Sequence, residues 1–186
     1  MHSRIPRQSA GEQGGRRPDG TGHGARAGAE LASVVSAARR RAVRDGDRHV
    51  DTAHLLHGLI ESDPAVRSAL GGPVRLTRLL GYLAQRSIGY GLRWQETVEG
   101  TGAPQAGRGA SGWSPAAVAA LEGALWRARA RGGVRAEGPD LLDALLADPR
   151  CRAVEVLCRA GVVPGDLTAR APAGAPGPVH CQGHGC

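Results

Sequence analysis

Apolar residues recur at helical spacing in two blocks of this chain, with a polar stretch between them. In the first block Leu31, Val34, Val35, Ala38 and Ala42 fall three or four apart, and Arg39, Arg40, Arg41 and Arg44 fill most of the remaining positions. The spacing predicts a helix from Ala29 that Gly46 ends. Asp51 or Thr52 then caps a second helix, with Leu55, Leu56, Leu59 and Ile60 turned inward. Ser62-Asp63-Pro64 closes it and opens a short third helix, with Pro64 in the first turn and Val66 and Leu70 facing the core. After a Gly71-Gly72-Pro73 turn, a fourth helix carries Leu76, Leu79, Leu80 and Leu83.

The second block restarts at Ser114-Pro115, a cap followed by a first-turn proline. A fifth helix carries Val118, Leu121, Leu125 and Trp126, with Trp126 expected in the core, and ends at Gly132-Gly133. Trp113 is placed to staple the helix entry against Val118. Pro139 opens a sixth helix with Leu141, Leu142, Leu145 and Leu146. Asp148-Pro149 opens a seventh with Val154, Val156 and Leu157, which Gly161 closes before a short eighth from Val162 to Leu167.

The blocks are two copies of one plan. Val50 to Ile60 returns 86 positions later as Ala136 to Leu146: His54 matches Asp140, Leu55-Leu56 match Leu141-Leu142, and Leu59-Ile60 match Leu145-Leu146. Ala38, Ala42 and Gly46 match Ala124, Ala128 and Gly132 at the same offset. With small shifts Leu70 meets Leu157, Val74 meets Val162 and Leu79 meets Leu167. A period this long marks a duplicated supersecondary unit. The expected fold is all-α: two pseudo-symmetric four-helix repeats, 29–87 and 113–170, forming one domain over 29–170. Residues 88–112 read as an exposed linker with a short extended piece around Leu92–Val98. Residues 1–28 and 171–186 show no apolar period and read as disordered tails.

Composition changes this picture little. The 186 residues suffice for one domain with a real core. All 24 basic residues are arginine, alanine and glycine abound, and phenylalanine is absent, which reads as compositional bias in the gene. The net charge of +7 permits weak attraction to polyanions, but residues 1–28 supply +3 of it, five arginines against Glu12 and Asp19. No segment has the apolar length to span a bilayer, and no signal-like apolar run follows the N-terminus, so a cytoplasmic location is expected. Cys151 and Cys158 lie seven apart on one helical face and read as small buried thiols. Cys181 and Cys186 fall in the tail, and no disulfide framework is expected.

Candidate chemistry is sparse. His54, His57 and Glu61 share one helix at i, i+3 and i+7, a spacing that can meet a metal. Packing and capping at the helix start explain His54 better, so neither metal nor cofactor is expected. His180, Cys181, His184 and Cys186 have ligand chemistry in cramped, glycine-rich spacing suited only to adventitious ions. Gly107 to Gly112 fits G-x-G-x-x-G but lacks a preceding buried strand, so a flexible linker is the better reading. No nucleophile-elbow or triad pattern occurs, and a chain without lysine holds no Walker A loop. Arg39, Arg40, Arg41, Arg44 and Arg48 form the densest basic patch; a solvated helix face is favoured over contact with an acidic partner or a nucleic-acid backbone. Trp94, in the linker, is the aromatic best placed to anchor a partner.

The order of elements resembles the N-terminal domain of Clp-type AAA+ unfoldases. His54-Leu55-Leu56-His57-Gly58-Leu59-Ile60, Leu141-Leu142-Asp143-Ala144-Leu145-Leu146 and Ala160-Gly161-Val162 carry the likeness, which covers 29–170. It implies a free-standing, mobile, non-catalytic module that receives substrates or adaptors. The family's glutamate before the histidine is replaced by Ala53 in one repeat and Pro139 in the other, so phosphoarginine binding is not carried over.

The expected function is therefore a protein-interaction module, not an enzyme. It binds polypeptide substrates or a Clp unfoldase as adaptor or accessory in ATP-dependent proteolysis. The expected site is a groove between the repeats around Thr52, Ala53, His54, Gly138, Pro139 and Asp140, whose helix-start amides suit acidic groups. The alternative is a basic, nucleic-acid-associated regulator on the same scaffold; no membrane partner is expected.

Overall fold

The computed structural model describes residues 29–87, 97–101 and 112–168. Among these lie eight helices: α1 (Ala29–Asp45), α2 (Thr52–Ser62), α3 (Pro64–Leu70), α4 (Gly72–Ser87), α5 (Pro115–Ala130), α6 (Gly138–Leu146), α7 (Arg152–Arg159) and α8 (Pro164–Thr168). The fold is all-α. Among the described residues one sheet occurs, a parallel pairing of two short strands, β1 (His49–Val50) and β2 (Gly112–Trp113), with Val50 opposite Trp113.

Start and stop chemistry follows the sequence closely. Asp63 is both the C-cap of α2 and the N-cap of α3, its carboxylate accepting from the amides of Ala65 (2.7 Å) and Val66 (3.1 Å). Ser114 caps α5 by accepting from Ala117 N–H at 3.1 Å. Gly46, Gly132 and Gly161 follow α1, α5 and α7 with φ of 72°, 79° and 76°, the left-handed conformation that side chains disfavour.

The repeats pack around α2, every residue of which is buried from Thr52 to Ile60. Gly58 lets α1 approach: a Cβ there would lie 2.6 Å from the Val34 carbonyl oxygen. In repeat two a Cβ at Gly123 of α5 would meet the Ala144 methyl of α6 at 3.3 Å. Leu55, Leu56, Leu59, Leu141, Leu145 and Leu157 are fully enclosed in one core shared by both repeats. Each contributes about 2 kcal/mol by leaving water.

Four expectations change. Trp126 is 67 % exposed, not core. The buried stripe of α5 is Ala117, Ala120, Leu121, Ala124 and Ala128, and a residue two past Ala124 points about 200° away from it. Val74 is 67 % exposed while its proposed match Val162 is buried, because Val74 sits in the first turn of α4 and Val162 follows the end of α7. Helix α7 begins at Arg152 after a turn in which Cys151 N–H donates to Asp148 O at 3.1 Å, so Asp148-Pro149 precedes it rather than opening it. Trp113 joins β2, and the Arg39 guanidinium stacks over its ring at 5.2 Å.

Candidate functional site

Two junctions between the repeats gather the buried polar groups. At the first, the starts of α2 and α7 meet over one carboxylate. Thr52 and Arg152 donate their backbone N–H groups to Glu99, at 2.9 and 2.7 Å. The hydroxyls of Thr52 and Ser114 donate to the same carboxylate, the latter at 3.0 Å. Thr52 Oγ1 also accepts from Ala153 N–H at 3.0 Å, which stitches the two helix starts together. Helix N-termini favour an anion, and here the chain supplies its own. The Arg152 guanidinium then donates to Asp51 Oδ2 at 2.7 Å and to Thr97 O at 2.6 Å.

Asp51 begins α2 with a capping box. Its Oδ1 accepts from His54 N–H at 3.1 Å, while Asp51 N–H donates to His54 Nδ1 at 3.1 Å. A ring nitrogen that accepts leaves the proton on Nε2, which faces Asp47 Oδ2 at 3.2 Å with Asp45 at 3.8 Å. Asp45, Asp47 and His54 thus converge closely enough to suggest a metal. Nε2 lies at ion-pair distance from both carboxylates, so the three groups form a closely spaced acid–imidazole cluster. His57 and Glu61 form a separate pair at 3.1 Å and do not join it. Burial holds the His57 pKa below the usual 6.5, against opposing pulls from Glu61 and Asp45.

The second junction joins the end of α2 to the start of α6. Gly138 faces the Asp63 carboxylate so closely that any Cβ would run into it. The capping residue is Glu137, and Asp140 accepts from Glu137 N–H at 2.8 Å. Arg131 grips Asp140 with two N–H donors, Nε at 2.9 Å and Nη2 closer still.

The six residues expected to line one groove therefore occupy two places. Thr52, Ala53 and His54 belong to the first junction; Gly138, Pro139 and Asp140 to the second. Asp63 caps the far end of α2, so the two sets are separated by the 11 residues of that helix, about 16 Å. Thr52, Ala53 and His54 are almost wholly enclosed, and of the second set only Pro139 is exposed. The amide of Thr52 is taken by Glu99 and that of His54 by Asp51. Of the six, Thr52 lines a groove of about 210 Å³, together with Ala116, Ala120, Gly123, Ala144, Arg127 and Asp148.

Glu99 was not among the expected site residues. It lies in the stretch read as an exposed linker, yet it is buried, and its signal was faint: one of two acids, with Glu96, among threonines and glycines. Cys151 also lines the groove, buried, with its thiol pushed up to about 12 by desolvation, so it stays protonated and unreactive. Cys158 is half-buried. In the basic patch Arg39, Arg40 and Arg44 are exposed, whereas Arg41 approaches Asp45 at 3.8 Å and Arg48 is half-buried. Trp94, the His/Cys tail and the glycine run up to Ser111 lie outside the described residues.

No family model and no curated protein matches the sequence. Solved structures do match the fold. The N-terminal domain of the caseinolytic protease associated chaperone ClpD from Arabidopsis thaliana aligns with a TM-score of 0.59 and 20% identity, over 78% of this chain and 91% of that one. A chain from a structural investigation of a malarial protein secretion system aligns with a TM-score of 0.57 and 16% identity, over 77% and 90%. The fold is thus that of a Clp N-terminal domain. No helix among the described residues is long and apolar enough to cross a membrane.

Proposed function

We propose that this chain is a non-catalytic, Clp-related protein-interaction module. It binds polypeptide substrates or a Clp-type AAA+ unfoldase and acts as adaptor or accessory in ATP-dependent proteolysis. The observation that carries this reading is the double repeat itself, aligned over nine-tenths of the ClpD N-terminal domain. The polar interior supports it: Glu99, Asp51, Asp63 and Asp140 each accept backbone N–H groups at or beside helix starts.

The groove beside Thr52 is the proposed seat for an extended polypeptide. Its small lining residues admit a backbone closely, and Arg127 and Asp148 offer one charge of each sign to peptide groups. Trp126 stands exposed one turn from Gly123 on the same helix. The buried residues Ala53, His54 and Asp140 then shape the two junctions rather than touch the ligand.

The alternative, a nucleic-acid-associated regulator, is less well supported. The described residues hold 16 arginines and 14 acids, a balance of +2, so most of the chain's +7 lies elsewhere. The test is direct binding of the full chain to a permanently unfolded, fluorescently labelled polypeptide and to purified unfoldase rings. Binding to either, weakened by Gly123→Leu in the groove, supports the proposal. Binding to neither, or robust turnover of any substrate, ends it.

A further inference from the structure

We propose that the outer face of α1 is a docking surface for an acidic, amphipathic segment of another protein. Arg39, Arg40 and Arg44 are exposed on this helix within two turns, and Val43 stands among them 68 % exposed. The acids nearest in sequence point elsewhere: Asp45 lies 3.8 Å from Arg41 and from His54, and Asp47 faces His54. Three exposed arginines thus share this side of the helix with an apolar residue among them.

The fold does not require this face. At the 86-residue offset the matching positions of α5 are Leu125 for Arg39, Trp126 for Arg40, Arg129 for Val43 and Ala130 for Arg44. The repeats share their buried stripe and differ here, so core packing does not explain the arginines. Arg40 and Arg44 sit one helical turn apart, about 6 Å along the axis, a separation that carboxylates on a facing helix or strand can match. Arg39 is held by stacking on Trp113, so less side-chain freedom is lost when it pairs.

Two observations favour protein over nucleic acid. A phosphodiester backbone offers nothing to Val43, whereas an acidic helix with one leucine per turn buries it. The described domain is also close to neutral, which gives no long-range field for a polyanion. The surface is separate from the groove proposed for polypeptide, which α5, α6 and the starts of α2 and α7 enclose.

The test uses the full chain and three probes: a helical peptide of glutamate with one leucine per turn, the same peptide with alanine for leucine, and a single-stranded oligonucleotide of equal charge. Arg40→Glu with Arg44→Glu and, separately, Val43→Ser are compared with the parent by fluorescence anisotropy at low and moderate salt. All three positions are solvent-facing, and unchanged melting curves confirm intact folding. The expected result is that the leucine peptide binds, that the double reversal weakens it about tenfold, and that Val43→Ser weakens it about threefold without affecting the alanine peptide. The proposal is overturned if the leucine peptide fails to bind at low salt or ignores the double reversal. It is equally overturned if the oligonucleotide binds as tightly through the same arginines, or if Val43→Ser changes nothing.

Discussion

The two repeats place the same devices at equivalent positions with opposite charge. Repeat one starts its buried helix with Asp51 and His54 and sets Asp45 beside the imidazole; repeat two uses Glu137 and Asp140 and sets Arg131 there. Asp45 and Arg131 are 86 apart, as are His54 and Asp140. The polar partner has been exchanged as a pair. What both copies retain is a side chain that accepts from the capping residue's own N–H, and either an imidazole nitrogen or a carboxylate can do that.

The junctions differ more deeply. In repeat one the acid that caps α3, Asp63, is the residue just before the helix. In repeat two the corresponding residue is Cys151, whose side chain makes no cap, and the carboxylate comes from Glu99 in the connecting segment. Helix starts that lose a local cap are served by one borrowed from a distance.

That contrast predicts the largest effect. Glu99→Ala should strip four buried donors of their acceptor, costing about 3 kcal/mol. Its melting temperature should fall by roughly 6–12 °C. Asp63→Ala, the local cap, should cost about 1–2 kcal/mol. Equal shifts in thermal melts would mean that the borrowed carboxylate holds no more than an ordinary cap.

Glycine sharpens the comparison at the helix crossings. Gly58 and Ala144 are equivalent, and a Cβ at Gly58 would meet the Val34 carbonyl. Gly58→Ala should push α1 from α2 and cost about 2 kcal/mol. Ala144→Gly should cost about 1–2 kcal/mol, through helix propensity and the loss of one buried methyl. Chemical denaturation of both variants decides it; a harmless Gly58→Ala would show that the α1–α2 contact is softer than drawn.

The smallest effect is in pH. His57 and Asp143 are also 86 apart, and burial disfavours the charged form of each: the His57 pKa is lowered from 6.5 and the Asp143 pKa is raised from 3.8. For His57 the unfolded chain binds the proton more readily. Its contribution is intact above pH 6.5 and is lost as pH falls from there through the folded value. For Asp143 the folded chain binds the proton more readily, so its contribution is full below pH 3.8 and is lost as pH rises through the folded value. Stability profiles of His57→Leu and Asp143→Asn should therefore depart from the parent in opposite pH directions. Departures in the same direction would contradict the desolvation account.

The sequence was informative wherever a property repeats locally. Leu55, Leu56, Leu59, Leu141 and Leu145 read as core because their spacing is helical and their neighbours differ. Trp126 misled because α5 is alanine on most sides: apolar residues occur all around it, and periodicity then cannot choose a face. The candidate site was legible as two helix starts but not as two separate places, since a duplicated motif says nothing about how its copies face each other. The amides at α2 read as free because their occupant is Glu99.

By itself the sequence determined the duplication, the order of helices, the caps of α2, α3 and α5 and most of the buried stripe, because each follows from side chains within a few turns of one another. The tertiary structure alone decided what closes the junction. Glu99 is 47 residues from Thr52 and 53 from Arg152, and no local rule joins them. Only when both repeats pack do two helix starts come close enough to share one carboxylate, and burial then demands that some acceptor be there.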